Sequence, residues 1–428
     1  MRLVLDNFSC IKHADVTIDG ITVIAGLNNT GKSTIGKALF STFSALNDVD
    51  TKIAKQRVLE VQRILFSQSG DSEVWALRRS LFDIMELLRK NLSNSRGNYT
   101  LTDLQNDIHS CLSIPDSDKK QTIGDILYDA LREVIEWPRE KVFEEALLTT
   151  FRNTFDGQVN TVNGGGNVAS VQLIIKGKKT TINIEQNSKC NYNYGFDIVN
   201  KAVFIATPYA TDELNTYLYY DPNDGDSSFA TPGEHLRILL SQYIKRMADV
   251  SGALGRSITK EKLSELFSIL HKIVPGTIKR EGGRFSLLAQ DGKQDISFRN
   301  LSTGIKAFII IRMLLEAGLI NKKDVLILDE PEIHLHPKWQ LTYANLIVLL
   351  QKLFDLSIVI TSHSPFFIDA INQYTKLHDT ATQTHYYYAK RENDTAELQE
   401  VTNSLSTIYA TMAEATTELS DLASSSHD

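Results

Sequence analysis

The sequence predicts an α/β fold built around a largely parallel β-sheet, because strands and helices alternate at both ends of the chain. Near the start, an apolar run over 21–25 stops at Gly26, and a helical pattern begins near Gly31. An uninterrupted apolar run of this length is typical of a strand buried in a parallel sheet. In the last third, the alternating helices and apolar strands are 304–320, 325–328, 337–354, 357–361 and 365–373. This order is the pattern of parallel β-α units.

The long middle stretch has a different pattern. Four segments with apolar residues at helical spacing predict a helical subdomain with its own core, namely 51–66, 73–91, 121–137 and 140–150. Strands are predicted over 155–206, with a hairpin at the glycine-rich turn 163–167. Two more helices and a second hairpin are predicted at 234–250, 259–273 and 284–298. The chain then ends in an edge hairpin, 386–389 with 398–401, and a helix from Leu405 to Leu419.

Composition places the chain among ordinary globular proteins. Of 428 residues, 42% are hydrophobic and 23% are charged, which excludes wholesale disorder. The 45 basic and 52 acidic residues give a net charge of −7, which excludes a generally basic nucleic-acid-binding surface but not a local basic patch. The 3 cysteines are far apart, which argues against a zinc site or a disulfide framework. Without a long apolar run or a signal peptide, we expect a cytoplasmic protein with no membrane contact.

The apolar run 21–25 leads into a phosphate-binding motif. The chain from Gly26 to Thr34 reads GLNNTGKST and matches GxxxxGK[ST] between a strand and a helix. The main-chain amides of such a loop and the helix N-terminus converge on phosphate oxygens. Lys32 is expected to reach the β- and γ-phosphates, and the Ser33 hydroxyl to bind Mg²⁺. The predicted nucleotide-binding residues are Asn28, Asn29, Thr30, Gly31, Lys32, Ser33 and Thr34.

A second motif supplies two carboxylates. The strand 325–328 ends in Asp329 and Glu330. Both therefore lie at the carboxyl edge of the predicted parallel sheet, where such folds bind ligands. We expect Asp329 to hold Mg²⁺ through a water or together with Ser33, and Glu330 to polarise the attacking water.

Two further motifs place polar residues beside helix starts. The segment LSTGIK carries Ser302, Thr303, Gly304 and Lys306 directly before a predicted helix, which predicts a second anion-binding helix start. The segment ITSHSP carries His363 at the end of the apolar strand 357–361.

In this order the four motifs resemble those of the ABC-type ATPase superfamily, in its SMC, RecF and OLD branch. The segments DEPEIHLHP (329–337) and TSHSP (361–365) are similar to those of OLD-type and related defence ATPases. The resemblance implies an ABC-type ATPase head, a mixed sheet with a phosphate loop, and a helical plus β insertion between its two lobes. The implied domains are the N-terminal lobe 1–46, the helical insertion 47–155, a mixed segment 156–283, the C-terminal lobe 284–402, and a helix and tail 403–428.

The resemblance also implies a site shared by two subunits of a homo-oligomer. Each ATP, with Mg²⁺, would lie between one subunit's phosphate loop and carboxylates and the other subunit's signature segment. Glu330 would activate water and His363 would sense the γ-phosphate. The signature residues acting in trans would be Ser302, Thr303, Gly304 and Lys306. Thr303 stands where SMC-like proteins usually have glycine, so this contact would be tighter or slower than theirs.

Similarity to the ATPase components of Septu, PARIS and retron systems favours a slow ATPase in prokaryotic anti-phage defence. Such a protein would control a separately encoded effector, a nuclease or toxin, and would respond to nucleic acid or a phage protein. Because 428 − 375 leaves 53 residues after the last ATPase helix, we expect no nuclease domain in this chain.

Two alternatives remain open. One is a RecF-like or SMC-like DNA-repair ATPase acting on duplex DNA. Its support is two basic clusters, Lys176, Lys178 and Lys179, and Lys279, Arg280 and Arg284. The other is a scaffold that binds ATP and barely hydrolyses it, against which the presence of Glu330 argues.

Overall fold

The computed structural model describes residues 1–68, 78–94, 99–114, 116–161, 168–214, 228–248 and 263–411. Five predicted features lie wholly or partly outside these residues: the turn at 163–167, the start of the helix at 73–91, the end of the helix at 234–250, the start of the helix at 259–273, and the chain beyond 411.

The described chain alternates strands and helices, as expected. The strands β1 to β14 are Arg2–Phe8, Ile11–Thr17, Ile21–Gly26, Val168–Ile175, Lys178–Glu185, Lys189–Asn193, Ala202–Ile205, Thr277–Glu281, Arg284–Leu288, Asp295–Ser297, Val325–Asp329, Ser357–Ser362, Thr384–Glu392 and Thr395–Glu400. The helices α1 to α13 are Lys32–Leu46, Val49–Gln68, Arg78–Asn94, Leu101–Cys111, Ser117–Glu136, Arg139–Thr154, Ala210–Glu213, Pro232–Ser241, Tyr243–Ala248, Ser264–Ile273, Thr303–Glu316, Pro337–Phe354 and Pro365–Leu377.

One mixed sheet of 11 strands organises the protein, in the order β6-β5-β4-β1-β2-β14-β13-β3-β12-β11-β7. Its half from β13 to β7 is parallel, whereas β1, β2, β4, β5 and β6 pair antiparallel. Every residue of β3 is buried, as expected for a strand between parallel neighbours. The phosphate loop therefore leaves from a strand with parallel neighbours on both sides, and this mixed sheet confirms the predicted fold class.

Helices cover both faces of the sheet. Successive residues of β3 alternate between the two cores, so Val23 packs with α11 and α12 while Ile24 packs with α1 and α6. The strands β4 to β6 extend the sheet beyond β1, and β7 forms its other edge. The strands β4 to β7 of the predicted segment 156–283 are thus continuous with the sheet that carries the phosphate loop.

The helices α2 to α5 share a separate hydrophobic core. Ile84, Leu88, Leu104 and Leu131 are fully buried within it. The helix predicted at 140–150 as part of the same subdomain instead packs, as α6, into the core beside the sheet. The sequence analysis did not predict α4, because only Leu104 and Ile108 are buried in this short helix. Among the described residues, no helix is both long and apolar enough to cross a membrane.

Four predicted elements differ from the structure. The hairpin predicted at an edge, 386–389 with 398–401, lies inside the sheet as β13 and β14, between β3 and β2. The helix predicted at 304–320 ends at Glu316, since Gly318 adopts φ +62° and stops it. The segment predicted as helix 234–250 forms two helices, α8 and α9. At the start of the strand region predicted over 155–206, Asn160 makes only an isolated bridge to Phe8.

Candidate nucleotide-binding and hydrolysis site

The phosphate loop connects β3 to α1 through residues with left-handed backbones. Asn29 has φ +61° and Gly31 has φ +79°. A Cβ on Gly31 would lie 2.6 Å from Cδ1 of Ile11, and one on Gly26 would lie 2.8 Å from the carbonyl oxygen of Ala389. Both glycines are therefore required by conformation and by close packing.

The remaining loop residues surround this turn. Asn28 and Asn29 are exposed, whereas Thr30 is buried and donates a hydrogen bond to the carbonyl of Leu27 at 2.8 Å. The hydroxyl of Thr34, in the first turn of α1, contacts Sγ of Cys10 at 3.4 Å. Each predicted loop residue thus lies at the carboxyl end of β3 or in the first turn of α1.

Lys32 is a buried cation at the base of the loop. Its side chain is 4% exposed, and its Nζ lies 3.6 Å from Oε1 of Glu330. The ammonium also donates to the carbonyl of Leu27 at 2.7 Å. Burial lowers the pKa of Lys32, and the nearby carboxylates of Glu330 and Asp329 oppose that shift. A polyphosphate in the loop would add negative charge beside this ammonium and favour its charged form.

Ser33 and Asp329 are in direct contact. The Ser33 hydroxyl donates to Oδ1 of Asp329 at 2.8 Å, and the Thr361 hydroxyl donates to the same oxygen at 2.5 Å. A hydroxyl and a carboxylate side by side are the hard oxygen ligands that Mg²⁺ prefers beside phosphates. The residues present therefore fit the predicted Mg²⁺ site.

Glu330 brings the predicted catalytic groups together. Its backbone has φ +49°, and its N–H donates to the carbonyl of Thr361 on β12 at 3.0 Å. Its Oε1 lies 3.4 Å from Nδ1 of His363 and 3.6 Å from Nζ of Lys32. One carboxylate oxygen is thus within 4 Å of both the buried cation and the histidine, in a position to interact with a water beside the last phosphate.

The sequence analysis did not assign a role to Glu332, which lies directly behind His363. Its side chain is 2% exposed. Its Oε1 accepts hydrogen bonds from the Ser362 hydroxyl at 2.5 Å and from the main-chain N–H of His363 at 3.3 Å. Burial raises the pKa of Glu332, and the hydrogen bond from Ser362 opposes the shift. The sequence clue to Glu332 was a second glutamate two residues after Glu330.

The signature residues lie at a different surface, at the start of α11. Ser302 caps this helix by accepting a hydrogen bond from the N–H of Ile305 at 3.4 Å. An open cleft of about 440 Å³ adjoins it, lined by Ser302, Thr303, Gly304, His334, His336, Lys338 and Trp339. None of these residues belongs to the phosphate loop. A Cβ on Gly304 would lie 2.9 Å from Cε3 of Trp339, so glycine keeps the indole close to the helix start.

Lys306 points into its own subunit. Its side chain is 4% exposed, and its Nζ lies 2.7 Å from Oδ1 of Asp212. The same ammonium lies 5.8 Å from the ring centre of Tyr209. Lys306 therefore holds the start of α11 against Asp212 of the same chain. The helix start and the cleft beside it remain accessible to another molecule.

Comparisons with known proteins agree with an ATPase domain. Residues 205–369 match the protein-family model described as "AAA domain, putative AbiEii toxin, Type IV TA system". The protein named "Retron Ec83 probable ATPase" from Escherichia coli is 26% identical over 132 residues, covering 25% of this chain and 24% of that protein. The chain therefore matches about a quarter of that relative's length. These matches confirm the resemblance to ATPases of this kind that the motifs indicated.

Similar solved structures are SMC head domains. An SMC head bound to the C-terminal winged-helix domain of ScpA has a TM-score of 0.45 and 10% identity, over 95% of this chain and 98% of that chain. The SMC head of Thermotoga maritima has a TM-score of 0.39 and 11% identity, over 94% and 98%. A third, with an extended coiled coil and a ScpA domain derived from Pyrococcus furiosus, has a TM-score of 0.41 and 12% identity, over 97% and 98%.

Proposed function

We propose that the protein binds and slowly hydrolyses ATP between two copies of itself, and that this cycle controls a separately encoded effector in anti-phage defence. The observation that carries the ATPase part is the position of Glu330. Its carboxylate oxygen lies near both Lys32 and His363, next to the hydrogen-bonded pair of Ser33 and Asp329.

In this proposal each residue has a chemical task. The loop amides and Lys32 bind the β- and γ-phosphates. Mg²⁺, held by Ser33 and Asp329, would neutralise charge on the phosphates. Glu330 orients the attacking water and accepts its proton, and His363 contacts the γ-phosphate.

The second subunit supplies what one subunit lacks. The cleft at Ser302 and Gly304 has a helix N-terminus, the lysine Lys338 and two histidines, and none of the described residues that line it carries a carboxylate. In one chain its lining shares no residue with the phosphate loop. Head-to-head pairing of two chains would place this surface against the partner's nucleotide, as in the ATPases that the motifs resemble.

The defence role rests on the relative's name and on the motifs similar to defence ATPases. A direct test is to purify tagged Glu330→Gln from its native host with ATP, and to compare Lys32→Ala. Glu330→Gln should trap a nucleotide-bound homo-oligomer that contains a second protein in a fixed ratio. Deleting the gene for that second protein should abolish phage resistance. Lys32→Ala should yield neither the oligomer nor the second protein. The defence role would be contradicted by an oligomer that carries no second protein, together with unchanged phage resistance after deletion of the gene for this chain.

One structural observation favours duplex DNA as an alternative ligand. Lys176, Lys178 and Lys179 lie at the exposed turn between β4 and β5. The other basic cluster is partly neutralised, because Lys279 pairs with Glu281 and Asp295. ATP-stimulated duplex binding that weakens with salt, and is lost when the three turn lysines become alanine, would support the repair function.

A further inference from the structure

A second cation, Arg391, reaches the phosphate loop from the far end of the sequence. It lies in β13, whose pairing with β3 places Ala389 beside Gly26. Arg391 lies two residues further along β13, beyond the point where β3 ends. Side chains alternate along a strand, so Arg391 lies on the same face as Tyr387 and Ala389, which pack in the core around α1.

The contacts of Arg391 tie the hairpin to the loop. Nη1 donates to the carbonyl oxygen of Asn29 at 3.1 Å, and Nε donates to the carbonyl of Asn393 at 3.0 Å. Asn29 has a left-handed backbone. A hydrogen bond to its carbonyl therefore restrains a conformation that an L-residue rarely adopts.

The charge of Arg391 is not neutralised by a carboxylate within the described part of the chain, whereas its neighbours are paired. Lys390 lies 3.0 Å from Glu392, and Lys12 lies 2.8 Å from Glu397. A guanidinium has five N–H donors. After the bonds to Asn29 and Asn393, donors remain for another acceptor, beside a loop whose amides bind phosphate.

We propose that Arg391 is a nucleotide-positioning residue, which fixes the phosphate loop through the carbonyl of Asn29 and adds its positive charge to the polyphosphate site. This inference rests on the proposed binding of ATP at that loop. It assigns to the hairpin β13–β14 a role in nucleotide affinity, with no part in the hydrolytic step.

The test compares Arg391→Ala with Lys390→Ala, a matched control one residue away on the opposite face of the same strand. Affinity for ATP and ADP is measured with fluorescent nucleotide analogues, and turnover is measured by phosphate release. Arg391→Ala should weaken nucleotide binding about 10-fold or more, because a charge-assisted hydrogen bond network is lost. It should leave kcat at saturating ATP within about threefold, since it does not contact the reacting atoms. Lys390→Ala should bind nucleotide like the wild type.

Arg391→Lys adds a second measurement if the alanine variant folds poorly. It keeps the charge and loses the planar fork, so its affinity should lie between those of wild type and alanine. Unchanged affinity in Arg391→Ala or Arg391→Lys would overturn the inference, as would an equal loss in Lys390→Ala. A wild-type protein that binds no nucleotide would instead refute the proposed function itself.

Discussion

Replacement of Glu332 by glutamine should slow ATP hydrolysis without preventing ATP binding. Glu332 accepts hydrogen bonds from the Ser362 hydroxyl and the His363 main chain, and its side chain is 2% exposed. Glutamine retains the shape and one carbonyl acceptor but removes the charge. A hydrogen bond to a charged group is worth about 1 kcal/mol more than a neutral one, so two bonds lose about 2 kcal/mol. If the whole of this free energy is lost from the positioning of His363 in the transition state, kcat falls about 30-fold.

The assay is steady-state phosphate release over a range of ATP concentrations, with thermal unfolding measured in parallel. Glu316→Gln is a matched control. Glu316 is also a largely covered carboxylate, 11% exposed, which accepts hydrogen bonds from Arg312 and Tyr243 at 2.9 and 2.5 Å. It lies at the far end of α11 from Ser302, so its replacement should reduce stability and leave kcat nearly unchanged. An unaltered kcat in Glu332→Gln would refute the claim that this carboxylate positions His363.

Two other variants test the cleft and a buried histidine. Gly304→Ala would place a Cβ 2.9 Å from Trp339 and should lower turnover about 10-fold with nucleotide affinity retained. Gly233→Ala, with open space around its added Cβ, should match the wild type. Burial lowers the pKa of His235 to about 4. In the unfolded chain the same histidine has a pKa of about 6.5 and therefore binds more protons at pH 5 than it does in the folded protein. The free energy of unfolding should therefore fall by about 2 kcal/mol from pH 7.5 to pH 5. Urea unfolding at both pH values would show this loss, and His235→Gln should remove most of it. Equal pH slopes in His235→Gln and wild type would contradict the assignment.

The phosphate loop and both carboxylates could be predicted because their chemistry requires particular residue types at short, fixed spacing. Gly31 and Lys32 are adjacent in sequence, and Asp329 follows an apolar strand, so local pattern alone places them. Most of the parallel half of the sheet was predictable for the same reason. Its strands β3, β7, β11 and β12 are apolar runs, whereas β13 carries charged residues and was predicted at an edge. The strand β6 is a largely polar edge strand and gave no such pattern.

The contacts that could not be predicted join residues far apart in sequence. Arg391 meets Asn29 across 362 positions, and only the pairing of β13 with β3 brings them together. Lys306 meets Asp212 because a short helix folds back against α11. Such contacts follow from the order of strands and helices in space. A single sequence leaves that order undetermined even when each element is predictable.

The central claim is that each nucleotide is cleaved between two copies of the chain. It can be tested by mixing two inactive variants, Lys32→Ala and Ser302→Arg. Each alone should be inactive, because one lacks the phosphate-binding lysine and the other blocks the signature surface. A mixed dimer would hold one intact site, so an equal mixture should recover about a quarter of wild-type turnover if pairing is random and symmetric. A mixture as inactive as its components, with both variants folded, would contradict a site shared between subunits.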